Sequence, residues 1–275
     1  MNTDPVFDQA VTRYLASLTH LHSVNGHSLP VCRICRGPTG VKNDAGEHWE
    51  MCRPCQGHRT TPGIRPSELA ESAGFIIYAL EYADRSVDQS LRDMYQYKLL
   101  SPGHTAGEGI SQQGQRIRAL LYATLRDHLP RVEKNVGSVE VITHVPSTST
   151  KPRRDPHALA DAIDSAVSKL PGLARHRRLL VPGRGGVGSS RAVDPDRFCV
   201  VEPAEVAGRH VLLVEDTWVS GSSAQSAAVV LHRAGAARVT VLCVARMLTA
   251  QWRAGHYLTS HYTDFPPPSP RFPVF

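Results

Sequence analysis

Val211-Leu212-Leu213-Val214-Glu215-Asp216-Thr217-Trp218-Val219-Ser220-Gly221-Ser222-Ser223 is the stretch that decides how this 275-residue chain is read. The unbroken apolar run Val211 to Val214 suits a strand buried on both faces, the habit of a parallel sheet covered by helices. Two adjacent carboxylates, Glu215 and Asp216, stand where that strand is expected to end. Small and polar residues then turn the chain. The Ala-rich stretch from Ser222 to Ala234 reads as a helix closed by Gly235, the residue suited to the left-handed position after a helix. Ligands in open α/β sheets sit beyond the carboxyl ends of the strands, so the acids and the turn fall where a ligand is received.

Working outward, the chain keeps alternating in the α/β manner. Residues 139–145 and 239–245 read as flanking strands, and Leu179 to Val181 is a shorter apolar run. Asp155, with Pro156 behind it, predicts the start of a helix running to about Lys169. Upstream, Phe75 to Leu80 is a further strand. Ser86 with Gln89 forms a capping box that predicts a helix through Leu91, Met94 and Tyr95. Apolar residues at helical spacing mark 110–129 and Asp4 to Leu21 as amphipathic helices. Strands alternating with helices over short connections imply a central parallel sheet with right-handed crossovers.

The turn itself has a definite chemistry. A helix beginning near Ser222 presents free N–H groups and the positive end of its dipole, which together hold phosphate. Gly221 lets the backbone approach a ligand closely, and Ser220, Ser222 and Ser223 supply hydroxyls. Glu215 and Asp216 can accept hydrogen bonds from vicinal sugar hydroxyls. Strand, acid pair and cradle together describe a receptor for ribose 5-phosphate. These thirteen residues resemble the phosphoribosyl diphosphate (PRPP) motif of type I phosphoribosyltransferases. The resemblance implies that Glu215 and Asp216 hold the ribose 2- and 3-hydroxyls and that Thr217, Trp218, Val219, Ser220, Gly221, Ser222 and Ser223 hold the 5-phosphate. Thr217 and Trp218 stand where that family usually carries aliphatic residues. Val219 stands where 6-oxopurine enzymes place an Asp near the base, which disfavours an acceptor handled in that way.

A second loop follows the strand at Val141: Val145, Pro146, Ser147 and Thr148, with Lys151, Arg153 and Arg154 behind it. In proteins this chain resembles, the corresponding loop receives pyrophosphate, and basic groups offset its charge. A solvated basic loop is the plainer reading of the same trio. Lys98, beside Tyr97, is another candidate anion contact. The Gly-rich segment Gly183 to Gly188 lacks the helix that a dinucleotide fingerprint requires, and reads as a flap over the site.

Cys32-x-x-Cys35 and Cys52-x-x-Cys55, sixteen residues apart, have the spacing of a four-cysteine zinc ribbon. Four thiolates leave no open coordination position, so such a site is structural. A redox role is the alternative. Cys199 and Cys243 lie in apolar runs and read as buried packing residues. A zinc ribbon ahead of a type I domain resembles the ComF family, linked to DNA uptake, although Arg154-Asp155-Pro156-His157 replaces that family's usual Arg-Gly-Phe-Asn string.

The expected fold is therefore α/β: a type I phosphoribosyltransferase fold with a central parallel sheet, preceded by a small zinc ribbon. The expected division is 1–60 for the first helix and ribbon, 61–255 for the main domain, and 256–275 for a Pro-rich, disordered tail. The resemblance implies transfer of phosphoribosyl from PRPP to a nitrogen acceptor, with Mg2+ beside PRPP, a structural Zn2+, and Arg153 and Arg154 assisting Glu215 and Asp216. The alternative is a catalytically silent sensor of PRPP or a nucleotide, partnering DNA or a DNA-uptake protein. A formal charge of +6 and a pI near 9.1 suit polyanionic partners of either kind. No stretch approaches the ~20 apolar residues that span a bilayer, and Met1 to Ala10 lacks the pattern of a secretory signal. Both point to the cytoplasm. Oligomeric state is left open.

Overall fold

The computed structural model describes residues 3–24, 29–42, 44–70, 72–99, 110–147, 157–184 and 191–261. Its strands are β1 (His22–Ser23), β2 (Ser72–Glu81), β3 (Val141–His144), β4 (Leu180–Pro182), β5 (Phe198–Val200), β6 (His210–Trp218) and β7 (Arg238–Thr249). Its helices are α1 (Pro5–Ala16), α2 (Arg53–Arg59), α3 (Gln89–Gln96), α4 (Gln112–Asp127), α5 (Leu129–Val136), α6 (Ala158–Val167), α7 (Ser222–Arg233) and α8 (Arg253–Ser260). The main sheet has the order β1-β2-β7-β6-β3. All its pairings are parallel except that of the short edge strand β1. The expected α/β class with a mostly parallel central sheet is what the chain forms.

The period of two along a strand sorts the core into two sides. Leu212 and Val214 of β6 pack with Val11 of α1, Ile117 and Leu121 of α4 and Ile163 of α6. Val211 and Leu213 pack with Ala224, Ala227 and Leu231 of α7 and with the four cysteines of the N-terminal module. The sheet is thus covered on both sides, which is why its inner strands are apolar throughout. Helix α1 belongs to the main core and not to the cysteine module. The 255/256 division falls inside α8.

Several elements differ from the sequence reading for identifiable reasons. Strand β6 does not end at the acids. It pairs on through Thr217↔Ala245 and Trp218↔Arg246, because the fully buried Trp218 packs edge-on against Phe75, ring centroids 5.3 Å apart. Helix α3 is capped by Asp88, whose carboxylate accepts from the Leu91 amide, while the Ser86 hydroxyl turns back to Asp84. His58 stands in the last turn of α2 and is buried. Cys199 is exposed, since β5 pairs only with β4 and turns Phe198 inward and Cys199 outward, whereas Cys243 in the sheet centre is buried as expected. Gly235 follows α7 with a φ of 96°, as its position predicts. Asp155, Pro156, Gly185 to Gly188 and the Pro-rich tail lie outside the described residues.

Candidate active site

Strand β6 carries Glu215 and Asp216 to the carboxyl end of the sheet, and their neighbours differ. Glu215 is buried, and its carboxyl accepts from the backbone N–H of Ala224 in the first turn of α7. Its Oε2 has no hydrogen-bond partner among the described residues. Burial, reinforced by the negative charge of Asp216, pushes the Glu215 carboxyl up to about 8. Asp216 meets α3 instead: Tyr97 donates its hydroxyl to Oδ2 at 2.9 Å, and the Lys98 ammonium forms an ion pair with the same oxygen. Burial opposes the charge of Asp216, but Lys98 and Tyr97 outweigh it and hold the carboxyl below its usual range. The site therefore pairs one protonated acid with one ionised acid at neutral pH.

Past the acids, Ser220 hooks back. Its hydroxyl accepts from the Ser222 amide at 3.3 Å and donates to the Ser222 hydroxyl at 3.2 Å. Gly221 stands at φ 86°, and a Cβ there would lie 2.1 Å from the Trp218 ring. Trp218 thus forms the floor of the turn, and only glycine passes over it. The remaining first-turn N–H groups of α7 are not used by helical bonding. Arg197, from the loop before β5, donates to the hydroxyls of Ser222 and Ser223 at 3.1 and 3.2 Å. A buried guanidinium at the positive end of a helix dipole opposes that dipole. An anion between them would offset both charges.

Beside this turn, β3 delivers Val145, whose amide donates to the Val214 carbonyl at 2.9 Å, then Pro146 and Ser147, both half-buried. Thr148, Lys151, Arg153 and Arg154 lie outside the described residues. At the tip of β3, His144 Nδ1 lies 3.0 Å from His176 Nε2, and His176 Nδ1 lies 2.6 Å from Asp164. Burial holds His144 down to about 3, so this histidine stays neutral.

On the α7 side of the sheet, Cys32, Cys35, Cys52 and Cys55 are all buried, none in a disulfide, with their sulfurs within 4.8 Å of one another. Cys35 and Cys52 approach to 3.5 Å. A tetrahedral zinc with ~2.3 Å Zn–S bonds sets sulfurs ~3.8 Å apart, so the donor set and spacing fit a structural Zn2+. Hydrogen bonding to Cys35, and then to Cys52 and Cys55, drives the Cys32 thiol far below the ordinary thiol range.

Arg246 of β7 links the two centres. Its Nε donates to the Cys35 carbonyl at 2.8 Å and its Nη2 contacts the Cys35 sulfur at 3.5 Å. Its Nη1 donates to the carbonyls of Trp218 and Val219 at 3.0 and 3.1 Å. Neither Arg197 nor Arg246 was singled out in the sequence, because each is a lone arginine whose partners in the turn and the cysteine module lie 25 or more positions away along the chain.

No protein-family model matches the chain. No curated protein matches it. Fourteen solved chains are similar to it. One is the "structure of the allosteric regulatory enzyme of purine biosynthesis", 18% identical over 56% of this chain and 30% of that one, with a TM-score of 0.35. At that degree of superposition, what can be said of the site comes from the residues above. Among the described residues no helix is long and apolar enough to cross a membrane.

Proposed function

We propose that this chain binds PRPP with magnesium at Glu215 to Ser223 and transfers the phosphoribosyl group to a nitrogen acceptor, releasing pyrophosphate, as its ComF-like resemblance implies. The observation that carries the reading is that β6 delivers the acid pair just before the start of α7, where Arg197 bonds the Ser222 and Ser223 hydroxyls. The acid pair and the anion cradle are thereby neighbours. Asp216, ionised and held by Lys98 and Tyr97, accepts from one ribose hydroxyl, and Glu215 answers the other. The Ser220–Ser223 turn takes the 5-phosphate, with Arg197 as its counter-charge. Val145 to Thr148, with Arg153 and Arg154, receive the departing pyrophosphate. Magnesium, a hard cation suited to phosphate oxygens, neutralises charge on the diphosphate when bound. The anomeric carbon becomes oxocarbenium-like as the leaving group departs. The protein's part is to fix the ribose, hold the leaving group and exclude water. Zinc in the Cys32, Cys35, Cys52 and Cys55 site is structural, and the protein acts in the cytoplasm.

Calorimetry with PRPP and Mg2+, followed by pyrophosphate release over a panel of nitrogen acceptors, tests this. Asp216→Asn is expected to slow turnover on the order of a hundredfold, the scale of one lost transition-state contact. Unchanged single-turnover rates would remove Asp216 from the mechanism. The second reading is a silent PRPP or nucleotide sensor in DNA uptake or DNA metabolism. It draws on Asp216 already being engaged by Lys98 and Tyr97. PRPP binding without pyrophosphate release for any acceptor would favour it.

A further inference from the structure

A cavity of about 700 Å³ opens between the cysteine module and the start of α8, a size that suits a small organic ligand. Trp49 of the module and Trp252 at the head of α8 both line it, together with Arg53, Gln56, Arg191 and Arg246. Among its described lining residues none is acidic. Each indole already carries a cation over its ring: Lys42 at 5.9 Å from Trp49 and Arg191 at 5.0 Å from Trp252. Arg246 is shared with the sugar-phosphate turn, because the guanidinium that lines this cavity also donates to the carbonyls of Trp218 and Val219. The cavity is therefore a neighbour of the turn and not a remote groove.

We propose that this cavity binds a planar heteroaromatic ring carrying a carboxylate. Two indoles on one cavity supply flat, polarizable walls for a ring. Arg53 and Arg191, both at the surface, supply the countercharge that a carboxylate seeks, and an arginine fork matches its two oxygens. An unsubstituted hydrocarbon ring would leave those guanidiniums unused, and a bulky polyanion would forgo the indoles.

Tryptophan fluorescence tests the cavity separately from the turn. The chain has three tryptophans, and Trp218 is fully buried, so ligand-dependent quenching reports Trp49 and Trp252. The probes are nicotinate and orotate, with neutral nicotinamide as the charge control. At least one carboxylate is expected to quench saturably with a Kd in the millimolar range or below, at least tenfold tighter than nicotinamide. Trp49→Ala and Arg191→Ala, both changes at exposed positions, are each expected to weaken it about tenfold, on the order of 1.4 kcal/mol. Absence of saturable quenching by both carboxylates, or equal binding of nicotinamide, overturns the proposal. So does binding that neither variant weakens. Calorimetry with PRPP and Mg2+ on the unmodified chain is run alongside. Carboxylate binding without PRPP binding would fault the turn and sustain the cavity, whereas PRPP binding without carboxylate binding would fault the cavity alone.

Discussion

The cysteine module and the β6–α7 turn flank the same arginine and are held together by opposite means. The module has almost no regular structure before α2: two isolated bridges, Val31↔Pro38 and Val41↔His48, and four buried thiols at its centre. Its shape is expected to depend on cross-linking by a metal at those sulfurs. The turn rests instead on β6, paired on both sides within the sheet, and on the buried Trp218 beneath Gly221. A short segment can thus be shaped by a ligand or by a large core, and the two respond differently to perturbation. Arg246 makes the comparison consequential, because it bonds both the Cys35 carbonyl and the Trp218 and Val219 carbonyls.

The largest effect is expected from removing the metal site. Structural zinc contributes ~10–16 kcal/mol in zinc-finger peptides, far more than any single contact in the turn. Double substitution of Cys32→Ser and Cys35→Ser, or extraction with a strong chelator, is expected to abolish bound zinc and lower Tm by more than ~15 °C. PRPP affinity should fall with it, since Arg246 loses one of its two anchors. Zinc quantification, calorimetry and a thermal melt read the three together. A chelated protein with unchanged Tm would mean that the module folds without metal and that the comparison is misdrawn.

Next in size is Arg246→Met, which keeps volume and removes the link. The carbonyls of Cys35, Trp218 and Val219 would each lose a charged donor. Removing one partner from a buried charged network costs about 3–5 kcal/mol, or ~10 °C in a chain of this length. Zinc content should stay intact while PRPP affinity falls, which separates the link from the metal. Intact PRPP affinity in a folded Arg246→Met protein would show that the two regions are joined in space only.

The same contrast explains what the sequence made legible. The module announced itself through spacing alone, because metal ligation fixes thiol pairs at short intervals along the chain. The parallel sheet was legible in the apolar runs at Phe75, Val141, Val211 and Val239, because burial on both faces leaves no polar alternation. The acid pair and the Ser-rich helix start were legible because they are contiguous. Of their partners, Lys98 was singled out as an anion contact, whereas Arg197 and Arg246 were not. Arg197 reaches Ser222 from 25 positions back in the chain, and Arg246 reaches Cys35 from 211 positions away. No local pattern encodes a contact made by tertiary packing. Trp218 shows the limit most plainly. In sequence it departs from the aliphatic habit of a phosphate loop, whereas in the fold it extends β6 by packing on Phe75 and forms the floor under Gly221.

The smallest effect expected is a gain. Glu215 is the buried, partly unpartnered acid of the turn, and burial with the nearby charge of Asp216 raises its carboxyl to about 8. Unfolding returns it to the ordinary glutamate range near 4.5. Between those values the unfolded chain has released a proton that the folded chain retains. The stabilising contribution is therefore fully present below about 4.5 and is lost as pH rises through about 8. Glu215→Gln keeps the shape and cannot ionise, so its stability relative to the parent should rise steadily from pH 5 to pH 8, read as a growing difference in Tm. His144 and His176 are held down by burial and cost stability as pH falls below their unfolded range, a cost common to parent and variant that cancels in the Tm difference. Among the groups facing it, Asp216 is held below its usual range and the buried Cys243 thiol is pushed well up. Identical Tm differences at pH 5 and pH 8 would mean that Glu215 is ionised in the fold. A stabilised Glu215→Gln that binds PRPP more weakly would show this acid serving the ligand at the expense of the fold, the opposite of the role proposed for the cysteines.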